Sequence, residues 1–162
     1  MNIELKEKLE KFYDEQVWPH ITLGEFIEDC AKKYGDKIAL VDGDVELSYQ
    51  ELNRKACHYA NGLLKAGFKK GDRIVLQLPN CHEFVIILFA MFKIGLIPVL
   101  SLPAHRKNEI KGILEKSGAK AYIAKDKYLG FSYVDMIREV REELNIDFEV
   151  YILGDNQGYK NF

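Results

Sequence analysis

The sequence predicts an α/β fold: a layered, mostly parallel sheet with helices on both faces, preceded by a short N-terminal β-hairpin. Three observations carry this. From residue 70 onward, strand-length apolar runs alternate with helix-length stretches. Residues 74–78 (IVLQL) are apolar almost throughout, as in a strand that helices cover on both faces. The segments between strands are long enough for right-handed crossovers rather than hairpins.

The elements follow in order. Residues 3–13 place Leu5, Leu9 and Phe12 on one helical face. Thr22-Leu23-Gly24-Glu25 is a capping box, in which the threonine oxygen takes a backbone N–H and the glutamate reaches back. The helix it opens turns Phe26, Ile27, Cys30 and Ala31 inward and is expected to end at Gly35. KIALVDGDVELS reads as two short strands around Asp42-Gly43, a pair suited to a type I′ turn with positive φ at both central positions.

Ser48-Tyr49-Gln50-Glu51 is a second capping box. Its helix aligns Leu52, Ala56, Tyr59, Ala60 and Leu63 and stops at Gly67. After the strand at 74–78, Asn80-Cys81-His82-Glu83 reads as the cap of a helix whose residues 84–92 are all apolar. Such a helix must be buried nearly all round. Residues 97–100 form the next strand, 106–117 a mixed basic and apolar helix, 120–124 a strand, 132–144 an amphipathic helix and 148–153 a last strand. The tail GDNQGYKNF (154–162) has neither periodicity nor a covering helix, so it is expected to be loose or truncated, on a chain that is cut rather than finished.

At 162 residues the chain is read as one domain, 1–162, able to bury roughly 70% of its unfolded surface. A net charge of −2 excludes the basic surface that nucleic-acid binding needs. Between Phe84 and Ala104 the single formal charge is Lys93. A membrane span there would bury that lysine at a cost of about 2.5–3.5 kcal/mol, and Gly95 and Pro98 would break the helix midway. No membrane partner is expected. Cys30, Cys57 and Cys81 form an odd set without a C-x-x-C pair, each placed in or at the start of a helix as a small hydrophobe. Residues 2–16 are densely charged rather than a secretory leader. A reducing cytoplasm is the expected compartment.

Few residues suggest chemistry. Cys57-His58 and Cys81-His82 invite a metal reading, but neighbours on a helix point about 100° apart and no second pair stands at ligand spacing; no metal ligand is assigned. Ser48, Ser101, Ser117 and Ser132 have no base partner in sequence context and no G-x-S-x-G elbow. After Leu78 the chain reads Pro-Asn-Cys-His rather than the G-x-G-x-x-G of a dinucleotide site. No catalytic and no cofactor-binding residue is assigned. His105 and Arg106 are the only cleft-border candidates for substrate. They stand between a strand exit and a helix start, where N–H groups favour anions, with Lys107 and Lys111 nearby. The structural alternative for all four is a solvated basic helix face.

The stretches TLGEFIEDCAKKYGDKIALVDGD, LSYQELNRKACHYANGLLKAGFKKGDRIVLQLPN and HEFVIILFAMFKIGLIPVLSLPAHR resemble the opening of the adenylate-forming enzymes, the superfamily of acyl-CoA synthetases, luciferases and peptide-synthetase adenylation domains. Within it, FKIGLIPVLSLPAHRKNEI with the later AYI and GFSY is most similar to the aryl-acid branch, the 2,3-dihydroxybenzoate–AMP ligases of catechol siderophore biosynthesis. The resemblance runs from about Tyr13 to Leu153 and implies a partial N-terminal subdomain of that fold. It also implies a complete enzyme that joins a carboxylic acid to ATP, with magnesium, releases pyrophosphate and passes the acyl group to a carrier-protein thiol. The family's Ser/Thr/Gly-rich phosphate loop ending in Pro-Lys, its aromatic-binding His-Asn segment, its ribose-binding aspartate and its catalytic lysine have no match here. No cofactor is therefore expected in this polypeptide by itself. The family's first motif falls on residues 47–52 and its second on Phe92-Lys93-Ile94-Gly95, where the roles are helix initiation and termination.

Two functional expectations follow. The first is an expressed fragment or truncated reading frame of an aryl-acid adenylating ligase, inactive alone, whose partner is the remaining part of the ligase. The second is a non-catalytic binding or assembly module derived from such a ligase. The first predicts self-association through an unmatched surface; the second predicts docking onto a partner through an exposed apolar sheet edge or face. A flavodoxin-like small-ligand domain would need only a fold match and has no residue-level support.

Overall fold

The computed structural model describes residues 7, 8, 10–12 and 19–162. Leu5 and Leu9, which the expected first helix relies on, lie outside the described residues. The described elements begin with helix α1 (Leu23–Tyr34), strands β1 (Ile38–Asp42) and β2 (Val45–Ser48), and helix α2 (Tyr49–Lys65). Then come β3 (Arg73–Gln77), α3 (His82–Lys93), β4 (Ile97–Leu100), α4 (Lys107–Ser117) and β5 (Ala121–Lys125). The chain continues through β6 (Lys127–Tyr128), β7 (Phe131–Ser132), α5 (Tyr133–Glu143), β8 (Glu149–Leu153) and β9 (Lys160–Asn161).

The central sheet runs β4-β3-β5-β8-β9, and every pairing in it is parallel. Strand alternation divides its side chains between two cores. Val75, Tyr122, Ala124, Val150 and Ile152 meet α4 and α5 on one face. Ile74, Leu76, Ala121, Ile123 and Tyr151 meet α2 and α3 on the other. A third cluster joins α1, the β1–β2 hairpin and the outer side of α3, through Ile27, Leu47, Leu52 and Ile86. This is the expected α/β architecture, hairpin included.

Both capping boxes form. Thr22 Oγ1 accepts from Glu25 N, Ser48 Oγ accepts from Glu51 N, and each glutamate accepts in return from its cap residue's N–H. At the end of α2, Gly67 N donates to Leu64 O and Phe68 N to Leu63 O, the paired bonds of a Schellman stop.

The structure corrects several details. Asp42 pairs with Val45, so Asp42 ends β1 and the turn is Gly43-Asp44. Only Gly43 has positive φ, the pattern of a type II′ rather than a type I′ turn. Asn80 does not cap α3: the N-cap residue is Cys81, which offers no side-chain bond, and Asp42 supplies the acceptor from the hairpin. Nor is α3 buried all round. Ile86, Ile87, Ala90 and Met91 are buried, while Phe84, Val85, Leu88, Phe89 and Phe92 are half-buried. The strand expected last, at 148–153, is followed by another. Lys160 and Asn161 of the tail pair with Tyr151 and Ile152, and the Phe162 ring stacks on Tyr59 at 5.2 Å. The β6–β7 hairpin was not anticipated; its two-residue turn holds Leu129 and Gly130 both at positive φ. No helix among the described residues is long and apolar enough to cross a membrane.

Candidate functional site at the carboxyl ends of the central strands

Gln77 closes β3 on the same face as Val75, and at 1% exposure it is a polar side chain set into a core. Its environment satisfies it. Tyr122 in β5 donates its hydroxyl to Gln77 Oε1 at 2.6 Å. Gln77 Nε2 donates to the carbonyls of Leu102 and His105, at 2.9 and 3.0 Å. Tyr133, at the start of α5, donates its hydroxyl to Pro103 O at 2.8 Å. Burial pushes the Tyr122 and Tyr133 phenols above their usual range, so both stay protonated donors. The loop 101–106 at the exit of β4 is thereby tied by its own carbonyls to the sheet beneath it.

His105 and Arg106, the sequence candidates, sit on that loop. Ser101 Oγ and His105 Nδ1 stand 2.9 Å apart, a pairing that sequence spacing did not disclose. Ser101 is 7% exposed, and no carboxylate is hydrogen-bonded to His105 among the described residues. The pair therefore lacks the oriented base and accessible oxygen of a nucleophilic site. Arg106 is exposed but occupied: its guanidinium lies 4.0 Å from the Phe131 ring centroid, and Nη1 donates to Pro103 O and His105 O. Lys107 and Lys111 do not add a free positive field. Lys107 Nζ lies 2.9 Å from Glu143 and 3.2 Å from Glu139, and Lys111 Nζ lies 3.1 Å from Glu143. Hydrogen bonds from Lys107 and Lys111 hold the Glu143 carboxyl below its usual range.

The sequence candidates thus come together with Gln77, Tyr122, Tyr133 and Phe131, which sequence reasoning passed over. The available signal was a polar residue inside IVLQL, at the carboxyl end of its strand, and a tyrosine inside AYIA.

A second polar cluster lies across the sheet. Asp42, His82 and Glu83 bring three potential metal-ligand atoms within 4.8 Å of one another. His82 Nδ1 is 2.8 Å from Asp42 Oδ2 and 3.4 Å from Glu83 Oε2. The Asp42 oxygen already serves the first N–H of α3, and a cation there would meet the positive end of the helix dipole. The neighbouring Cys81 thiol is pushed by burial up to about 11, which makes it inert. Cys57 and His58 lie on α2, where His58 borders an apolar cleft of about 280 Å³ with Tyr59, Leu63, Tyr151 and Phe162.

The junctions from β3 into α3 and from β4 into α4 do not fit the phosphates of a nucleotide. At α3 the carboxylate of Asp42 takes the His82 N–H, and at α4 that of Glu109 takes the Arg106 N–H. Anionic groups occupy the positions where phosphate-binding amides would be needed.

Comparison with known proteins gives a consistent set of relatives. The sequence profile of the AMP-binding enzyme family matches residues 27–158. The 2,3-dihydroxybenzoate-AMP ligase of Bacillus subtilis (strain 168) is 38% identical over 153 residues, 94% of this chain and 28% of that relative. The salicyl-AMP ligase / salicyl-S-ArCP synthetase of Mycobacterium tuberculosis is 38% identical over 128 residues, 76% of this chain and 23% of that relative. The apo structure of Mycobacterium smegmatis MbtA superposes with a TM-score of 0.88 at 30% identity, covering 96% of this chain and 29% of that one. The chain thus spans less than a third of the length of these relatives.

Proposed function

The chain belongs to the AMP-binding enzyme family, and from that premise we propose that its 162 residues are the N-terminal scaffold portion of an aryl-acid adenylating ligase. The complete enzyme would join ATP to a 2,3-dihydroxybenzoate-like acid, forming acyl-AMP and pyrophosphate. It would then pass the acyl group to a carrier-protein thiol in siderophore biosynthesis. ATP and magnesium belong to that complete enzyme. Residues 1–162 form a single subdomain of it in this reading, and three unpaired cysteines suit a cytoplasmic setting.

One observation carries the proposal. The chain is 38% identical to a 2,3-dihydroxybenzoate-AMP ligase over nearly its whole length, yet spans only 28% of it. The polar groups at its strand ends hold a loop and cap helices, which is scaffold work. His105 and Arg106 would border the active-site cleft of the complete enzyme rather than act in it.

ATP–pyrophosphate exchange tests this. The 162-residue polypeptide should give no exchange with 2,3-dihydroxybenzoate, salicylate or benzoate. A hybrid in which it replaces the matching first part of the Bacillus subtilis relative should exchange with an aryl acid. Robust exchange by the polypeptide alone, or a folded hybrid that never exchanges, would overturn the reading.

A further inference from the structure

Residues 101–106 form neither strand nor helix, yet three of their carbonyls are saturated. Leu102 O accepts from His105 N and from Gln77 Nε2. Pro103 O accepts from the Tyr133 hydroxyl and from Arg106 Nη1. His105 O accepts from Gln77 Nε2 and from Arg106 Nη1. Both lone pairs of each oxygen are thus engaged. At the start of the loop, Ser101 N donates to Leu76 O. The side-chain donors come from β3, from the beginning of α5 and from the end of the loop itself.

Only one arrangement of this network is consistent. Carbonyls can only accept, so the end of the Gln77 amide facing them is Nε2, and the Tyr122 hydroxyl that meets Oε1 donates. Tyr122 therefore orients the amide, and the amide holds the loop. Packing alone does not require this. Apolar residues of similar shape in place of both partners of a buried hydrogen bond can be nearly neutral for stability, whereas a fully satisfied network specifies one geometry. The geometry specified here is that of a loop at the carboxyl ends of parallel strands, the end where open α/β sheets bind their ligands.

We propose that Gln77 and Tyr133 are positioning residues for the adenylation reaction, acting through the 101–106 loop, which forms one rim of the aryl-acid site in the complete enzyme. The proposal rests on the function reading above. The acid is the substrate concerned, because the carboxylates of Asp42 and Glu109 already take the N–H groups that nucleotide phosphates would use at the starts of α3 and α4. Gln77 and Tyr133, 1% and 2% exposed, do not themselves reach a ligand. A displaced loop changes how the acid is seated before it reacts, and such a loss of uniform binding raises KM with little change in kcat.

Amide hydrogen exchange and ATP–pyrophosphate exchange, both measured on the hybrid described above, test this together. Gln77→Met and Tyr133→Phe should speed amide exchange at residues 102 and 104–106. Both should raise the KM for the aryl acid several-fold, with kcat and the KM for ATP little changed. Tyr122→Phe leaves the two Nε2 bonds to the loop in place and should move the acid KM less than Gln77→Met does, at a similar loss of melting temperature. Gly24→Ala, a stability control remote from the loop, should lower the melting temperature and leave the acid KM as it was. An active hybrid whose acid KM is unmoved by Gln77→Met and Tyr133→Phe sinks the positioning role only. So does a KM that simply follows melting temperature across the four variants. A folded, unsubstituted hybrid that gives no exchange sinks the function reading and the aryl-acid site with it, and the loop amides then decide whether Gln77 and Tyr133 hold the loop. Unaltered amide exchange in both variants overturns the proposal in every case. Where Gln77→Met does not fold, Tyr133→Phe reads the same quantities.

Discussion

Asp42 Oδ2 accepts both the backbone N–H of His82, at 2.9 Å, and a bond with its ring Nδ1, at 2.8 Å. The first turn of α3 is therefore capped by the tip of a hairpin rather than by the residue before it. The ring hydrogen bond from His82, and after it the backbone one, hold the Asp42 carboxyl below the usual carboxylate range. A depressed pKa places this contribution fully above the ordinary Asp value of about 3.9 and removes it as pH falls through the lower folded value. His82 and Glu83 on α3 and Lys125 on β5 are the other titratable groups near it. Urea midpoints between pH 7 and pH 3 should show the native chain losing stability below about pH 4 more steeply than Asp42→Asn, with the two curves converging at the acid end. Parallel curves would remove the cap from the account.

Gly24 meets the backbone of α3. A Cβ there would stand 2.9 Å from Lys93 Cα and 3.3 Å from Phe92 O. In an exposed helix Gly→Ala gains up to about 1 kcal/mol. Here the two helices must separate, so Gly24→Ala should cost about 1–3 kcal/mol, as overpacked sites do. Urea denaturation decides the sign. A raised midpoint would mean that α1 slides freely on α3.

Where patterning and local chemistry set the outcome, the sequence was legible. Capping boxes at Thr22 and Ser48 depend on four consecutive residues, and both form as read. The strands at 74–78 and 120–124 show themselves because burial on both faces demands continuous apolar character. Partners distant in sequence stayed hidden. Nothing near residue 82 announces that Asp42 will cap it, and nothing near Gln77 announces Tyr122. The tail strand was missed because Lys160-Asn161 has no apolar alternation; β9 is held by pairing to β8 and by the Lys160–Glu149 ion pair at 2.8 Å. His105 and Arg106 follow the exit of β4, and their occupied hydrogen bonds become visible only in three dimensions.

Tyr122 and Gln77 should be strongly coupled. Tyr122→Phe leaves Gln77 Oε1 buried without its 2.6 Å donor, a loss of about 1–3 kcal/mol. Gln77→Leu strands the Tyr122 hydroxyl and two loop carbonyls. Because each single change orphans the other's partner, the double variant should cost less than the two singles together, by about 0.5–3 kcal/mol. Strict additivity in the cycle would mean that water replaces the missing partner and that the network does not fix the 101–106 loop.

Pro98 should act as a guard on the sheet edge. Ile97 and Ser101 direct their N–H groups inward, to Asp72 O and Leu76 O, so the alternation of a parallel strand turns positions 98 and 100 outward. At 98 there is no N–H to offer, and the rim between those residues keeps one outward donor, on Leu100. Pro98→Val restores the second. One extra main-chain bond from each of two edges, at about 1 kcal/mol apiece, should tighten edge-to-edge association by roughly tenfold to thirtyfold. Sedimentation velocity over a concentration series reads this directly, as a larger species appearing at lower concentration in Pro98→Val than in the native chain. Leu100→Lys in the same background should reverse it, since an edge lysine opposes strand addition. Identical concentration dependence in all three proteins would mean that association, where it occurs, does not use this edge.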